Sequence, residues 1–385
     1  MTGNKRDTLR GVALISVMVV VTVVAAAAAQ LLYRQNIDIE RSTRIMSREQ
    51  AFLFAFGLET YARDLLARDN DKYDYEVDFS RYQEEDGLIE TWSWPIPNQY
   101  MSDEWLDTLR RAGAGRIEAR VRDLSGLFNI NGVRHAVLSR NKNNQPNKWE
   151  TLYERTFKNI ISTAFANDEE NPPDVDALWN SLIDWFDADD EVSDGGAEDD
   201  DYLENDPPYI TGEGRMAWPE EIRLIQGFEG RVAERLLPLI SALPHPGQVK
   251  LNINTVDSAL LRYMPDEIGS NYASDILIER ADEVYFQQKD RMDSFLGATK
   301  AFGNVSVRDF FTVKSDFFLF TACVRFGRDR PIEIQSLLWR QPRNPEQPQR
   351  ERVVVMQRRM GSGYYKGGEC KADSPRPATE ISEGS

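Results

Sequence analysis

An uncharged run from Val12 to Ala29 constrains this chain more than any other feature. It reads Val-Ala-Leu-Ile-Ser-Val-Met-Val-Val-Val-Thr-Val-Val and then five alanines, 18 residues without a charge. A helix needs about 20 such residues to cross the roughly 30 Å hydrocarbon core of a bilayer, and Gln30-Leu31-Leu32-Tyr33 extends the run into the interface. The eleven residues before it carry Lys5, Arg6 and Arg10 against Asp7. A basic flank stays on the cytoplasmic side and sends the rest outward. The sequence therefore predicts a single-pass anchor over 12–32 with the bulk of the chain beyond the membrane.

The apolar pattern does not stop at Tyr33. Ile37, Ile45, Ala51, Phe54, Ala55, Leu58, Tyr61, Ala62, Leu65 and Leu66 recur at three- and four-residue steps, with Arg and Glu between them. Neither Pro nor Gly interrupts Tyr33 to Phe56, and Gly57 alone is tolerable within a helix. One helix from about Val12 to about Arg68 is expected, half in lipid and half on a globular body; two helices with a break near Asn36 fit the same residues.

Short strands are expected next, at Trp92-Ser-Trp-Pro-Ile-Pro and at Arg116-Ile-Glu-Ala-Arg-Val-Arg, with a short helix around Trp105, Leu106 and Leu109. A helical block follows. Trp149, Leu152, Tyr153, Phe157, Ile160, Ile161, Ala164 and Phe165 form one stripe, and Val175, Leu178, Trp179, Leu182, Ile183 and Phe186 a second. Further helices are expected at Pro219–Gln226, Gly230–Leu243, Ser258–Tyr263, Tyr272–Tyr285 and Asp293–Ala298. Strands return at Phe310–Phe326 and Pro331–Arg340, paired across Gly327-Arg-Asp-Arg, and Arg352–Gln357 adds another. The fold class is α+β: a long N-terminal helix packed on a small antiparallel sheet, with a large all-helical insertion. The expected boundaries are 1–11 leader, 12–32 transmembrane helix, 33–133 and 306–360 the two parts of the helix-and-sheet domain, 134–305 the insertion, and 361–385 a polar, disordered tail.

The densest chemistry lies between Asp187 and Asp206, where 20 residues hold eleven carboxylates and no Lys or Arg. Such a loop repels itself unless a cation or water neutralises it. Asp187 and Asp189, the turn-forming pair Gly195-Gly196, and Glu198 with Asp199 beyond form a hard-oxygen set that suits calcium. No His or Cys lies in the stretch, which disfavours zinc. The loop departs from an EF-hand, since Val192 stands where its sixth residue would be Gly, although Glu198 matches the twelfth. A solvated acidic loop is the simpler alternative, but both flanks are apolar and hold the loop in one place.

Charge and cysteines narrow the classes further. A formal charge of −17 opposes non-specific binding to nucleic acid or an anionic membrane surface. Only Cys323 and Cys370 are present; an oxidising compartment would allow a disulfide between them, but with Cys370 in a polar tail nothing in the sequence fixes the distance, and the pairing stays open. His135 and His245 are the only imidazoles, and neither sits in a nucleophile motif, so no enzyme is expected.

Several stretches together carry a resemblance. Arg10-Gly11-Val12 places a glycine before the apolar run, so that cleavage after Gly11 leaves the helix on the mature protein; this resembles a prepilin leader, although an uncleaved signal anchor fits the same hydropathy. Leu182-Ile-Asp-Trp-Phe-Asp-Ala-Asp-Asp-Glu, Gly196-Ala-Glu-Asp and Asp206-Pro-Pro-Tyr, with Leu124-Ser-Gly-Leu-Phe-Asn-Ile-Asn and Leu251-Asn-Ile-Asn-Thr, are similar in the same order to general secretion pathway protein K, the large minor pseudopilin of type II secretion. The resemblance covers roughly Arg10 to Arg340. It implies a bacterial inner-membrane protein with its bulk in the periplasm, leader removal by a prepilin peptidase, methylation, and assembly with other minor pseudopilins at the tip of a pseudopilus that exports folded proteins. It implies one or two calcium ions on Asp187, Asp189, Glu198 and Asp199, with Glu191 and Asp206 as further ligands. Asp200 and Asp201 depart from the family pattern. With Val12 as first mature residue the fifth is Ser16, where most pilin-like subunits carry a glutamate; the implication is a subunit that can be followed but does not follow another.

A competing likeness starts at Lys250-Leu-Asn-Ile-Asn-Thr-Val-Asp, followed by Ile268-Gly269 and Ala273 to Arg280; it resembles helix-hairpin-helix modules of DNA-uptake receptors, where hairpin amides at a helix start grip phosphate. Lys250 to Asp293 holds five Lys or Arg against nine Asp or Glu. Phosphate affinity would lack its main source, so no nucleic-acid partner is expected.

Overall fold

In the computed structural model the described residues are 5–68, 114–139, 148–168, 172–244, 250–264, 271–282, 296, 310–313, 315–326, 331–341 and 353–360. The strand expected at Trp92, the helix around Trp105, nearly all of Asp293–Ala298 and the tail after Gly361 lie outside them.

Helix α1 runs unbroken over Lys5–Arg68, 64 residues, so the apolar run and the amphipathic run are one element. At 1.5 Å per residue it is about 96 Å long. Its apolar part from Val17 to Tyr33 is exposed along its whole length, as a lipid-facing segment must be. Its last turns are buried by Ala51, Ala55, Leu58, Ala62 and Leu66, steps of three and four that place small side chains against the sheet.

Strands β1 (Ala114–Asp123), β6 (Phe317–Phe326), β7 (Ile332–Arg340) and β8 (Val353–Met360) form that sheet in the order β1-β6-β7-β8, antiparallel throughout. Side chains alternate across it. Phe318, Phe320, Ala322, Val324 and Phe326 of β6 join Ala119, Val121, Ile334 and Leu338 against α1. Phe317 and Leu319 point to the other face, where they meet Leu337, Leu124, Leu127 and Leu243.

Three polar devices pin α1. Glu59, buried at 2% exposure, accepts from Arg358 Nε at 2.9 Å and Nη2 at 2.6 Å and from Ser336 Oγ at 2.5 Å. Arg63 Nε donates to the Val353 carbonyl at 3.0 Å. Arg340 lies over the Phe318 ring and reaches the Leu66 carbonyl in the last turn of α1 at 3.5 Å, a cation where the helix dipole is negative.

The chain leaves the sheet after Asp123 and re-enters at Phe317, so residues 124–316 lie between two neighbouring strands; the expected insertion limits fall inside this span. The insertion contains α2 (Asn131–Leu138), α3 (Lys148–Ala164), α4 (Val175–Asp184), α5 (Asp199–Leu203), α6 (Arg231–Leu236), α7 (Ser258–Tyr263) and α8 (Asn271–Asp282), plus a 3-10 turn at Pro219–Leu224. Two short parallel pairs stand beside these helices: β2 (Phe128–Asn129) with β3 (Ile240–Ser241), and β4 (Leu251–Asn252) with β5 (Phe311–Thr312). The helix expected over Gly230–Leu243 is shorter than its pattern, ending at Leu236 and passing through a 3-10 turn at Leu237–Leu239 into β3. Pro238 accounts for this, since it offers no amide to continue an α-helix.

Asp123, at the end of β1, joins the two bodies. Its Oδ1 accepts from the Ser125 amide at 2.7 Å, while Oδ2 accepts from the hydroxyls of Thr255 and Ser315 and from Asn252 Nδ2 at 3.4 Å. The start of the insertion, the Asn252–Thr255 turn and the end of the insertion thus meet at one carboxylate. Burial pushes its carboxyl above the ordinary value, and these hydrogen bonds oppose that shift. Gly126 fits here because a Cβ would overlap the Thr255 carbonyl.

Candidate metal centre

The Leu182-Ile-Asp-Trp-Phe motif is the end of α4, and its apolar members anchor the acidic loop. Leu182, Trp185 and Phe186 are buried, and Trp185 meets the Tyr202 ring edge-on at 5.4 Å between centroids. Asp174 starts α4 by accepting from the amides of Asp176 and Ala177, both at 3.1 Å. Lys158 of α3, paired with Glu154 of the same helix at 2.7 Å, braces α4 through Asp176 at 2.6 Å.

Beyond α4 the loop folds back on the helix that launched it. Asn180 Nδ2 donates to the Asp194 carbonyl at 2.7 Å, and the Ser193 amide donates to Asp184 Oδ2 at 3.1 Å. Gly195 turns at φ +76°, in the region open to glycine, and Gly196 must lack a side chain because a Cβ would overlap the Asp184 carboxylate. Chain reversal at this pair brings Glu198 beside residues nine to eleven positions earlier. Among the described residues, ligand oxygens of Asp187, Asp189 and Glu198 lie within 4.8 Å of one another.

Three carboxylates this close resist ionising together. Glu198 is buried at 4% exposure, and its carboxyl is pushed up to about 8, first by burial and then by the charges of Asp184, Asp187, Asp189 and Asp199. Asp184 is raised too, chiefly by burial. Oδ1 of Asp184 and Oε1 of Glu198 are buried oxygens with no hydrogen-bond donor. Leaving such groups unsatisfied costs free energy, and a hard cation held at Glu198 would satisfy its oxygen. The donor set fits calcium: all oxygen, anionic, and carried on a loop.

The remaining expected ligands have other places. Asp199 Oδ1 accepts from the amide and hydroxyl of Thr211 at 2.8 and 2.7 Å, which lowers its pKa and ties the Asp206-Pro-Pro-Tyr segment back to α5. Glu191 is exposed and gives its amide to Asp189 Oδ1 at 3.1 Å. Asp206 is exposed and precedes a cis bond to Pro207. None of these three carboxylates is in the 4.8 Å group. Asp184 was not singled out from the sequence as a ligand. Its spacing three residues before Asp187 at a helix end, on a shared face, was the available signal.

Ile268 and Gly269, which the DNA-uptake likeness needs for its hairpin, lie outside the described residues. The amides of Leu251, Asn252, Ile253, Asn254, Thr255, Val256 and Asp257 all donate within the chain, to Phe310, Ser125, Thr312, Asn252 and Gly126. They hold the neck and are not free to receive phosphate.

A long helix, apolar then amphipathic, laid on an antiparallel sheet with a helical body inserted between neighbouring strands, defines a protein of the pseudopilin class. A family model described as Type II secretion system (T2SS), protein K, matches residues 126–245, the first part of the insertion. The Type II secretion system protein K of Pseudomonas aeruginosa is 30% identical over 355 residues, 92% of this chain and 93% of that protein. Its counterpart in Klebsiella pneumoniae is 26% identical over 361 residues, 91% of this chain and 96% of that protein. The chain belongs to the type II secretion system protein K family, whose members are minor pseudopilins. The fold also matches a chain in the crystal structure of the GspK-GspI-GspJ complex from enterotoxigenic Escherichia coli, with a TM-score of 0.55 at 18% identity, over 84% of this chain and 100% of that one.

Proposed function

We propose that this minor pseudopilin is held in the bacterial inner membrane by α1, carries its bulk in the periplasm, and works by assembly at the pseudopilus tip with other minor pseudopilins, supporting export of folded proteins. The observation that carries this reading is α1 itself, one helix from the apolar run to the sheet. A rigid link of that kind makes any movement of the membrane segment a movement of the head. The solved E. coli complex, in which GspK is joined to GspI and GspJ, supports minor pseudopilins as the partners. Gly11 and Val12 fit cleavage by a prepilin peptidase, and Ser16 at the fifth mature position fits a subunit placed first. An unmatched terminal amine in an apolar bundle is costly, and Ser16 has no charge with which to neutralise one.

Coexpression tests the assembly. The chain from Tyr33 onward is expected to co-purify with the minor pseudopilins of its own secretion system, and monomeric elution of every component would overturn the reading.

Calcium is the second element of the proposal. Asp187, Asp189 and Glu198 would hold the ion, with Asp184 beside them. Bound calcium supplies no reaction here; it neutralises the clustered carboxylates and fixes the loop against α4. A ligand present at a hundred times its Kd stabilises by about 2.7 kcal/mol. Melting in excess chelator is therefore expected several degrees below melting in millimolar calcium, whereas identical curves would favour a solvated acidic loop.

A further inference from the structure

A cavity of about 50 Å³ opens in the insertion, away from the acidic loop, between α3 and the two short parallel strand pairs. Helix α3 contributes Trp149, Tyr153 and Thr156 to its lining; Asn129 of β2, Lys250 just before β4 and Phe310 just before β5 come from the strands. Trp149 meets Phe310 edge to face at 5.5 Å between centroids, and Tyr153 meets Phe128 in the same way at 5.4 Å. The walls are thus largely aromatic, with a few polar groups among them, which is the usual make-up of a small-molecule site. We propose that this cavity binds a small amphiphilic carboxylate, its apolar group seated among the aromatic rings and its oxygens taken by Lys250 and by Asn129 Nδ2.

Asn129 supplies the first argument. It is 4% exposed, and its Oδ1 accepts from the Leu243 amide at 2.9 Å. That bond fixes which way the side-chain amide is turned, because a flip would set two donors against each other. Its Nδ2 is left buried with no hydrogen-bond partner. A buried donor without an acceptor is costly, and a carboxylate oxygen is the acceptor that it lacks.

Charge supplies the second. The chain carries 63 Asp and Glu against 46 Lys and Arg, yet no acidic residue lines this cavity, and its one charged member, Lys250, is exposed. Burial pushes the Tyr153 phenol above its ordinary value, so its hydroxyl stays neutral. The lining therefore offers an anion one cation and no opposing charge. Size narrows the ligand further. A space of 50 Å³ holds about three or four waters, or in their place a single ring or branched aliphatic group, and is too small for the chain of a membrane lipid. A ligand seated there touches α3, β2 and the approaches to β4 and β5 at once, so its binding braces α3 on the strands beside the neck.

A free arylalkanoate and the C-terminal phenylalanine of a polypeptide present the same chemistry, and the test distinguishes them. Isothermal titration is made on the full chain in nanodiscs of zwitterionic lipid, with empty nanodiscs as the blank. Phenylpropionate is expected to bind at a single site about tenfold more tightly than phenylpropanol, the factor that one charge-assisted hydrogen bond supplies. Acetate, which lacks the apolar group, is expected not to bind. A short peptide ending in phenylalanine is compared with its C-terminal amide: binding of the free-acid peptide above that of phenylpropionate assigns the cavity to a chain terminus, and binding below it to a free acid. Lys250→Gln, a change at an exposed position, is expected to keep the melting temperature and to lower the affinity for phenylpropionate to that for the alcohol. Asn129→Asp keeps the acceptor for the Leu243 amide but replaces the free donor with a negative charge, and should abolish carboxylate binding. The absence of saturable binding of phenylpropionate up to millimolar concentration, equal affinity for acid and alcohol, or unchanged affinity in Lys250→Gln overturns the proposal.

Discussion

Glu198 shows how one side chain reports on its loop. Its carboxyl is raised from 4.5 to about 8, so between those values the folded chain keeps a proton that the unfolded chain has lost. Without a cation, stability must then fall as pH rises through that window, because the native state binds more protons. Asp184, raised in the same direction, adds to the slope. Calcium bound there as proposed would compete with the proton for the same oxygens and offset the trend. Melting in chelator at about pH 5 and about pH 8 is expected to show the drop, calcium to abolish it, and Glu198→Gln to lose most of the slope together with the calcium response. A slope unchanged in Glu198→Gln would place its origin elsewhere. Of this cluster, Asp187, Asp189 and Glu198 were legible from residue type and spacing. The parting of Asp199 toward Thr211 was not, because Thr211 carries no charge and belongs to a segment whose return to α5 is a tertiary event.

Elements were legible where a period ran long. α1, α3, α4, β6 and β7 follow their hydrophobic repeats, since each buries one face over many residues and a register slip would expose it. α2 was missed because Asn131 and Gly132 open it, poor helix residues in isolation. Here Asn131 is retained for the Met216 amide and the carbonyls of Met216 and Leu243, at 2.9, 3.0 and 3.2 Å, and Gly132 because the Tyr153 ring fills the space of its Cβ. The attachment of α1 to the sheet is similarly a matter of partners. Glu59 looked like a solvated helix residue, yet it is buried and held by Arg358 and Ser336. Arg358→Ala leaves that charge buried without its counter-ion and should cost about 3 kcal/mol, the lower end for a broken buried pair because the arginine is partly exposed. Glu59→Leu with Arg358→Ala should recover part of the loss. Urea melts of the four proteins would decide it; additive losses would mean that the pair is not coupled.

At the scale of the molecule, a helical body inserted into a sheet has to be held rigidly at its neck. Two large cores lie on either side of the neck, and the third, between them, is small: Leu124, Leu127, Leu243, Phe317, Leu319 and Leu337. Polar ties add to it. Arg359 of β8 lies over the Trp218 ring and reaches Glu220 at 3.1 and 3.3 Å, and Asp123 gathers the start, middle and end of the insertion on one carboxylate. The Leu124–Asn131 and Leu251–Thr255 motifs that carried the family resemblance serve this junction: Asn129 accepts from the Leu243 amide, and Asn252 reaches Ser315. Asp123→Ala should therefore act on coupling more than on either body. It strips a partner from four donors, of which the Ser125 amide and the Ser315 hydroxyl are buried and worth about 1–3 kcal/mol each when left unsatisfied, yet it touches neither the core under α1 nor the core around Phe157 and Phe228. Calorimetry of the calcium-loaded full chain is expected to show one cooperative transition for the wild type and two for Asp123→Ala, with only the transition of the acidic-loop body moved by chelator. A single transition at an unchanged midpoint would mean that the apolar neck alone couples the insertion to the sheet, and that the carboxylate is dispensable for that coupling.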